Sequence, residues 1–172
     1  MVKTTLIAAL CCVGGLPIFG RSTTAMSDTN FVRKAAEGNY AEIQMGKLAQ
    51  DKGTNPAVKD FGQRMVTDHT KAYDQLKPIA SKDNVTMPDR MNVKDQAMYD
   101  RLSKLSGAQF DREYMRSMVK DHQSDVAEFQ RESTKAKDKD VRTYATNTLP
   151  TLQEHLRLAE DANAKVGASA SK

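Results

Sequence analysis

Four long segments of the sequence carry apolar side chains at intervals of three to four residues, and this spacing predicts amphipathic α-helices. These segments cover residues 28–52, 55–78, 108–134 and 139–165, and a shorter helix is predicted over 93–105. Four amphipathic helices with short links predict an all-α fold, an antiparallel four-helix bundle. The short extra helix would lie between the second and third long helices.

Local signals set the expected ends of the helices. Asp28 is the predicted N-cap of the first helix, and Asn55 is that of the second, with Pro56 at its first helical position. Pro78 is expected to kink or end the second helix, and Pro150 is expected to kink the fourth.

The N-terminus has the pattern of a secretory signal peptide over residues 1–25. Lys3 precedes an apolar run over 5–19, and small residues follow up to Ala25. The run is too short, and too rich in Gly and Pro, to span a bilayer well. The sequence therefore predicts an exported protein of the periplasm or cell envelope, with one bundle domain over 28–165 and a disordered tail over 166–172.

The predicted leader changes how the composition is interpreted. It holds both cysteines, Cys11 and Cys12, so the mature chain can form neither a disulfide nor a thiolate metal site. It also holds Lys3 and Arg21, so the 26 Lys and Arg residues of the whole chain fall to 24, against 22 Asp and Glu. The two signs are interspersed without a basic stripe, which argues against nucleic acid as a partner and leaves an envelope component or another protein.

A ten-residue word occurs twice. The sequence DFGQRMVTDH at 60–69 aligns with EYMRSMVKDH at 113–122, with an acid, an aromatic residue, Met-Val and Asp-His at equal offsets. The repeat predicts equivalent positions on two helices of a pseudo-symmetric bundle. The alternative is chance recurrence between two amphipathic helices.

All three histidines of the chain are predicted to face the core. On a helix that turns about 100° per residue, His69, His122 and His155 share their faces with apolar residues. Asp111 precedes His122 by close to three full turns and shares its face. Glu42 lies on the inner face of the first helix, where a buried carboxylate is expected to need a partner. These five residues are the predicted metal ligands.

Two interpretations of these five residues remain open. Imidazole nitrogens and carboxylate oxygens suit one transition-metal ion, namely zinc, copper or iron. Alternatively, the histidines form a metal-free network of hydrogen bonds with Glu42, Asp111 and Tyr114. Met65 and Met118, one turn before two of the histidines, would permit copper(I) ligation through sulfur, although methionine more often fills irregular cores.

The acids that directly precede the histidines point about 100° away from them. Asp68, Asp121 and Glu154 are therefore predicted to be solvated charges that flank the buried faces. The alternative is that one of them orients an imidazole of a neighbouring helix.

Several of these segments together resemble a bacterial family, the domain of unknown function family 4142. The resemblance rests on the leader and on FVRKAAEGNYAEIQMGKLA, VKDFGQRMVTDH, FDREYMRSMVKDH and LPTLQEHL, and it covers residues 28–165. It implies a ferritin-like fold, an exported or outer-membrane location and no assigned activity. It marks as pattern positions Glu42, His69, Asp111, Tyr114, His122 and His155.

The sequence departs from the ferritin-like di-iron motif, which needs Glu three residues before His. Val66, Val119 and Leu152 occupy those positions, so di-iron oxidase activity is disfavoured. An acid–base enzyme is a weaker alternative, because the mature chain has no cysteine nucleophile and no visible Ser-His pair. The main prediction is a metal-binding bundle for sensing, buffering or stress protection. Its rival is a metal-free structural or interaction module.

Overall fold

The computed structural model describes residues 27–169, which form five α-helices and, within that range, no β-strand. The helices are α1 (Asp28–Lys52), α2 (Pro56–Lys82), α3 (Val93–Ser103), α4 (Gly107–Lys135) and α5 (Lys139–Ser169). Both the all-α class and the short extra helix were expected. The predicted signal peptide at 1–25 lies outside the described residues.

Side-chain caps begin the first two helices. The N-cap of α1 is Ser27, one residue before the predicted Asp28, and its hydroxyl accepts a hydrogen bond from the Asn30 amide. Asn55 caps α2 as predicted, because its side-chain oxygen accepts from the amide of Ala57.

The two internal prolines do not end their helices. Helix α2 continues through Pro78 to Lys82, so an end at this proline is wrong. A proline removes one helical hydrogen bond, but Leu76 and Ala80 on either side of it are fully buried, and this packing keeps the segment helical.

Helix α5 runs longer than its sequence pattern suggested. It passes through Pro150 and reaches Ser169, so residues 166–169 are helical and do not belong to a disordered tail. Val166 is 4% exposed and packs in the apolar core, which explains why the helix extends this far.

The long helices pack as two hairpins. Links of three residues, 53–55 and 136–138, join α1 to α2 and α4 to α5. Helix α2 also packs against α5, α1 against α4, and α3 against both α1 and α4. A Cβ atom on Gly46 would lie 2.7 Å from the carbonyl oxygen of Gly62, so these glycines let α1 and α2 approach closely.

Two apolar clusters fill the core and are separated by a polar layer. One cluster contains Met45, Phe61, Met65, Tyr114, Met118 and Ala159, among others. The other includes Phe31, Leu76, Phe129, Tyr144 and Leu152. On each of α2, α4 and α5 a buried histidine lies between the two clusters, at positions 69, 122 and 155 respectively.

Side chains of the two repeated words contact each other in the core. The rings of Phe61 and Tyr114 have centroids 6.2 Å apart, and those of His69 and His122 are 5.9 Å apart. The pairs occur in the same order along both helices, since the later residue of α2 contacts the later residue of α4. Helices α2 and α4 therefore run in the same direction. The two copies therefore occupy equivalent positions, as the repeat suggested.

No helix within residues 27–169 is both long enough and apolar enough to cross a membrane.

Candidate metal centre

The three histidines converge in the polar layer. One ring nitrogen from each of His69, His122 and His155 lies within 4.8 Å of the others. The ring centroids are 5.2 to 5.9 Å apart, and the residues are 4%, 0% and 1% exposed, respectively. The structure thus brings together three of the five predicted ligands, one each from α2, α4 and α5.

The imidazole of His122 is oriented by its own helix. Its Nδ1 lies 2.9 Å from the carbonyl oxygen of Met118. A carbonyl oxygen only accepts, so Nδ1 carries the proton and Nε2 keeps a lone pair.

The imidazole of His155 is oriented by Asp68 on the neighbouring helix α2. Its Nε2 donates to a carboxylate oxygen of Asp68 at 2.9 Å, which leaves the Nδ1 lone pair free, and Arg64 binds the same carboxylate. The prediction that Asp68 is a solvated flanking charge is therefore wrong, and the alternative of an orienting carboxylate holds. Glu154 does behave as a flanking charge, in an ion pair with Arg157.

The imidazole of His69 is oriented by a residue that the sequence reasoning missed. Its Nδ1 donates to the side-chain oxygen of Asn39 on α1 at 2.9 Å. The amide of Asn39 donates in turn to the hydroxyl of Tyr144 at 3.0 Å, and that hydroxyl donates to the carbonyl of Ala72. A signal was available, because Asn39 lies three residues before Glu42, on the inner face of α1.

Each of the three imidazoles has a second ring nitrogen that makes no hydrogen bond. Among the described side chains, Nε2 of His69, Nε2 of His122 and Nδ1 of His155 are buried without a hydrogen bond. Burial lowers the pKa of His69 well below its usual value, lowers that of His122 to about 4, and lowers that of His155. The imidazoles are therefore neutral near pH 7, and neutral imidazole is the form that binds metals.

Asp111, a predicted ligand, is used elsewhere. Its carboxylate accepts hydrogen bonds from the amide and hydroxyl of Thr54, at 3.0 and 2.5 Å, and from the amide of Asn55 at 2.8 Å. It thus holds the start of α2, and it is not part of the histidine group. Eleven helical residues separate it from His122 by about 16 Å along the axis, so the two share a face but not a level.

Glu42, the other predicted carboxylate, is also outside the histidine group. It is 2% exposed, and within the described range neither of its oxygens has a hydrogen-bond partner. Burial, followed by the charges of Asp121 and Asp125, raises its pKa well above the usual value. The core histidines do form buried hydrogen bonds, but their partners are Asn39, the Met118 carbonyl and Asp68, and the predicted partners Glu42, Asp111 and Tyr114 are wrong.

Replacing Glu42 with glutamine is expected to stabilise the metal-free protein at pH 8 and not at pH 4. The folded protein keeps a proton on Glu42 that the unfolded chain releases above about pH 4.5, so its stability falls as the pH rises between the two pKa values. Glutamine has no such proton. The expected gain is about 1 to 3 kcal/mol in the free energy of unfolding, measured by urea denaturation.

Glu160→Gln is the control for this change, because Glu160 is exposed on α5. Asp95, Asp121 and Asp125 help to raise the pKa of Glu42, so their repulsion of an ionised Glu42 is part of the gain expected at pH 8. An equal gain at pH 4 and pH 8 would contradict a titrating Glu42.

Both methionines that could supply sulfur are core residues. Met65 and Met118 are fully buried and belong to the apolar cluster around Phe61 and Tyr114. Met118 serves the histidine group through its backbone carbonyl.

Comparisons with solved structures find the same fold in other proteins. A fragment of a DUF305 protein from Deinococcus radiodurans superposes with a TM-score of 0.69 at 15% identity, over 80% of this chain and 95% of that one. CopM in its Cu(II)-bound form gives 0.68 at 17% identity, over 81% and 97%. CopM in its Cu(I)-bound form gives 0.65 at 17% identity, over 79% and 94%. At such identities the likeness concerns the fold alone.

The sequence itself matches a family profile described as "Domain of unknown function (DUF4142)" over residues 19–162. No curated protein matches it significantly. Because the match covers most of the chain, the protein belongs to the DUF4142 family.

Proposed function

We propose that this protein binds one transition-metal ion, with copper preferred, through Nε2 of His69, Nε2 of His122 and Nδ1 of His155. Two observations carry the proposal: a ring nitrogen of each histidine lies within 4.8 Å of the others, and each histidine has one buried ring nitrogen without a partner. Leaving a buried polar atom unpaired costs about 1 to 3 kcal/mol, and a metal ion would satisfy all three atoms at once.

The surroundings of the site support this role. Each imidazole uses its other nitrogen to donate to a fixed acceptor, which is Asn39, the Met118 carbonyl or Asp68. Such outer contacts set the tautomer and the direction of a ligating histidine, and they raise its basicity. Three imidazoles also leave room in the coordination shell for a further ligand, such as water.

The preference for copper has two supports. Nitrogen donors bind divalent first-row metals most tightly when the metal is Cu(II), ahead of zinc and iron. CopM, which shares the fold, has been crystallised with Cu(II), Cu(I) and silver. Zinc and iron are the competing ions for this donor set.

The proposed biological setting is the cell envelope, where the protein buffers or senses the metal or protects against metal stress. The signal-peptide pattern at residues 1–25 supports export. We also interpret the long helices as an antiparallel, ferritin-like four-helix bundle. Residues 66, 119 and 152 are apolar, so the proposed site holds a single ion without bridging glutamates.

A metal titration of the untagged, metal-free protein tests the proposal. Cu(II), Zn(II), Fe(II) and Mn(II) are added separately, and bound metal is measured after gel filtration. About one equivalent of Cu(II) is expected, with nitrogen hyperfine coupling from imidazole in pulsed electron paramagnetic resonance. The chain has only three histidines, so an imidazole signal identifies this site. Absence of uptake for all four ions would refute the proposal.

A further inference from the structure

One surface cleft reaches the histidine group. It is a cavity of about 50 Å³ between α1, α4 and α5, large enough to hold water. Its lining includes Lys34, Gly38, Asn39, His69, Asp125 and Glu128. Lys34 is exposed and Gly38, Asp125 and Glu128 are partly exposed, whereas Asn39 and His69 are buried. A metal-site histidine and the residue that orients it therefore lie at the inner end of an opening to solvent. We name this opening the acidic cleft.

A second opening, lined in part by Asp68, differs from the acidic cleft in charge. This groove between α2 and α5 has a volume of about 450 Å³, and its charged lining residues are Arg64, Lys71 and Asp68. None of the three histidines lines it. Two cationic groups and one anionic group line this groove, whereas the acidic cleft has one cation, Lys34, one carboxylate, Glu128, and Asp125, whose pKa burial raises to about 8. The cleft is therefore less repulsive to a cation than the groove, and it becomes attractive as Asp125 ionises.

Two further carboxylates, Asp121 and Asp95, interact with Asp125 of the acidic cleft. Both of these also interact electrostatically with Glu42. Glu42 is fully buried and its oxygens have no hydrogen-bond partner in the described part of the chain. Glu42 keeps its proton and adds no charge, so Asp121 and Asp95 are the groups beyond Asp125 that can make this face attractive to cations.

We propose that the acidic cleft is the access route by which a copper ion reaches the three histidines, with Asp125 and Glu128 attracting the ion and His69 as the first ligand that it meets. This inference rests on the proposed function. It concerns the rate of metal uptake and not the final amount bound.

Gly38 offers a matched pair of variants for blocking the route. A Cβ atom at this position meets nothing within 4 Å, so alanine fits and is expected to favour the helix. A leucine side chain would extend into the cleft. Gly38→Leu is expected to slow uptake about ten-fold or more, and Gly38→Ala much less, while both bind the wild-type amount of copper.

Charge variants test the same route without filling it. Asp125→Asn combined with Glu128→Gln is expected to lower the association rate about three- to ten-fold at low salt, and less at 0.5 M salt, because screening weakens steering. Lys71→Gln in the α2–α5 groove is the control and is expected to leave the rate nearly unchanged.

The experiment is stopped-flow mixing of each metal-free protein with free Cu(II), followed by quenching of tyrosine fluorescence, with circular dichroism to confirm folding. Slower uptake to the same final stoichiometry in the leucine and charge variants supports the route. Wild-type rates in both variants refute the route and leave the proposed function standing. A lower final stoichiometry with an unchanged rate also refutes the route. Absence of uptake by the wild type refutes the proposed function, and the route with it.

Discussion

Replacing His122 with leucine is expected to abolish copper uptake and to leave the metal-free protein about as stable as the wild type. The imidazole gives up one hydrogen bond, to a Met118 carbonyl that already accepts from the helix backbone. In exchange, a buried nitrogen without a partner disappears. We expect the metal-free unfolding free energy to change by no more than about 1 kcal/mol.

Copper should raise the unfolding free energy of the wild type and not that of His122→Leu. A ligand present at one hundred times its dissociation constant stabilises a folded protein by about 2.7 kcal/mol. The wild type should gain that much in urea denaturation with copper, and His122→Leu should gain nothing. A metal-free structural network implies the reverse: a marked loss of stability for the variant in chelator, and no effect of copper on the wild type.

Met118→Leu is the matched control. Met118 is fully buried one turn before His122, and leucine has a similar volume, so the fold and the copper uptake should both survive. Loss of copper(I) uptake in this variant would instead identify the Met118 sulfur as a ligand, which is the thioether interpretation of the sequence.

Replacing Asp111 with alanine is expected to lower the unfolding free energy by about 3 to 5 kcal/mol without changing the copper stoichiometry. The carboxylate is 2% exposed and accepts three hydrogen bonds from Thr54 and Asn55 at the start of α2. Hydrogen bonds to a charged group contribute about 1.5 to 3 kcal/mol each, and water at the exposed Thr54 offsets part of the loss. Urea denaturation and metal titration of the same protein give both quantities.

Asp60→Ala is the control, because Asp60 is an exposed acid near the start of α2 without such contacts to Thr54 or Asn55. Its effect should stay within about 0.5 kcal/mol. If Asp111→Ala kept its stability and lost copper, Asp111 would be a ligand after all, and its role at the start of α2 would be wrong.

The sequence predicted which way the histidines point because that direction is a local property of a helix. Turning about 100° per residue carries His69, His122 and His155 onto their apolar faces whatever the helices pack against. The same reasoning predicted the caps and turns around Asn55 and Pro56, which depend on neighbours in the chain.

The sequence-based predictions that failed concern the axial position of residues along a helix and the contacts between helices. Asp111 shares the face of His122 but lies about 16 Å away along the axis, at the level of the α1–α2 link. Asp68 was expected in water because it points away from its own helix's core, yet α5 lies in that direction and brings His155 to it. Asn39 was overlooked because its partner stands on another helix.

The sequence by itself determined an all-α chain, helices with buried histidines, and two equivalent words on two of them. Each follows from periodicity within a single helix. Only the tertiary structure decided that the three imidazoles meet at one level, and that each has one ring nitrogen with a hydrogen-bond partner and one without. Those facts depend on how far each helix slides against its neighbours, and that shift is set by packing across the whole core, such as the close approach of Gly46 and Gly62, which no single helix encodes.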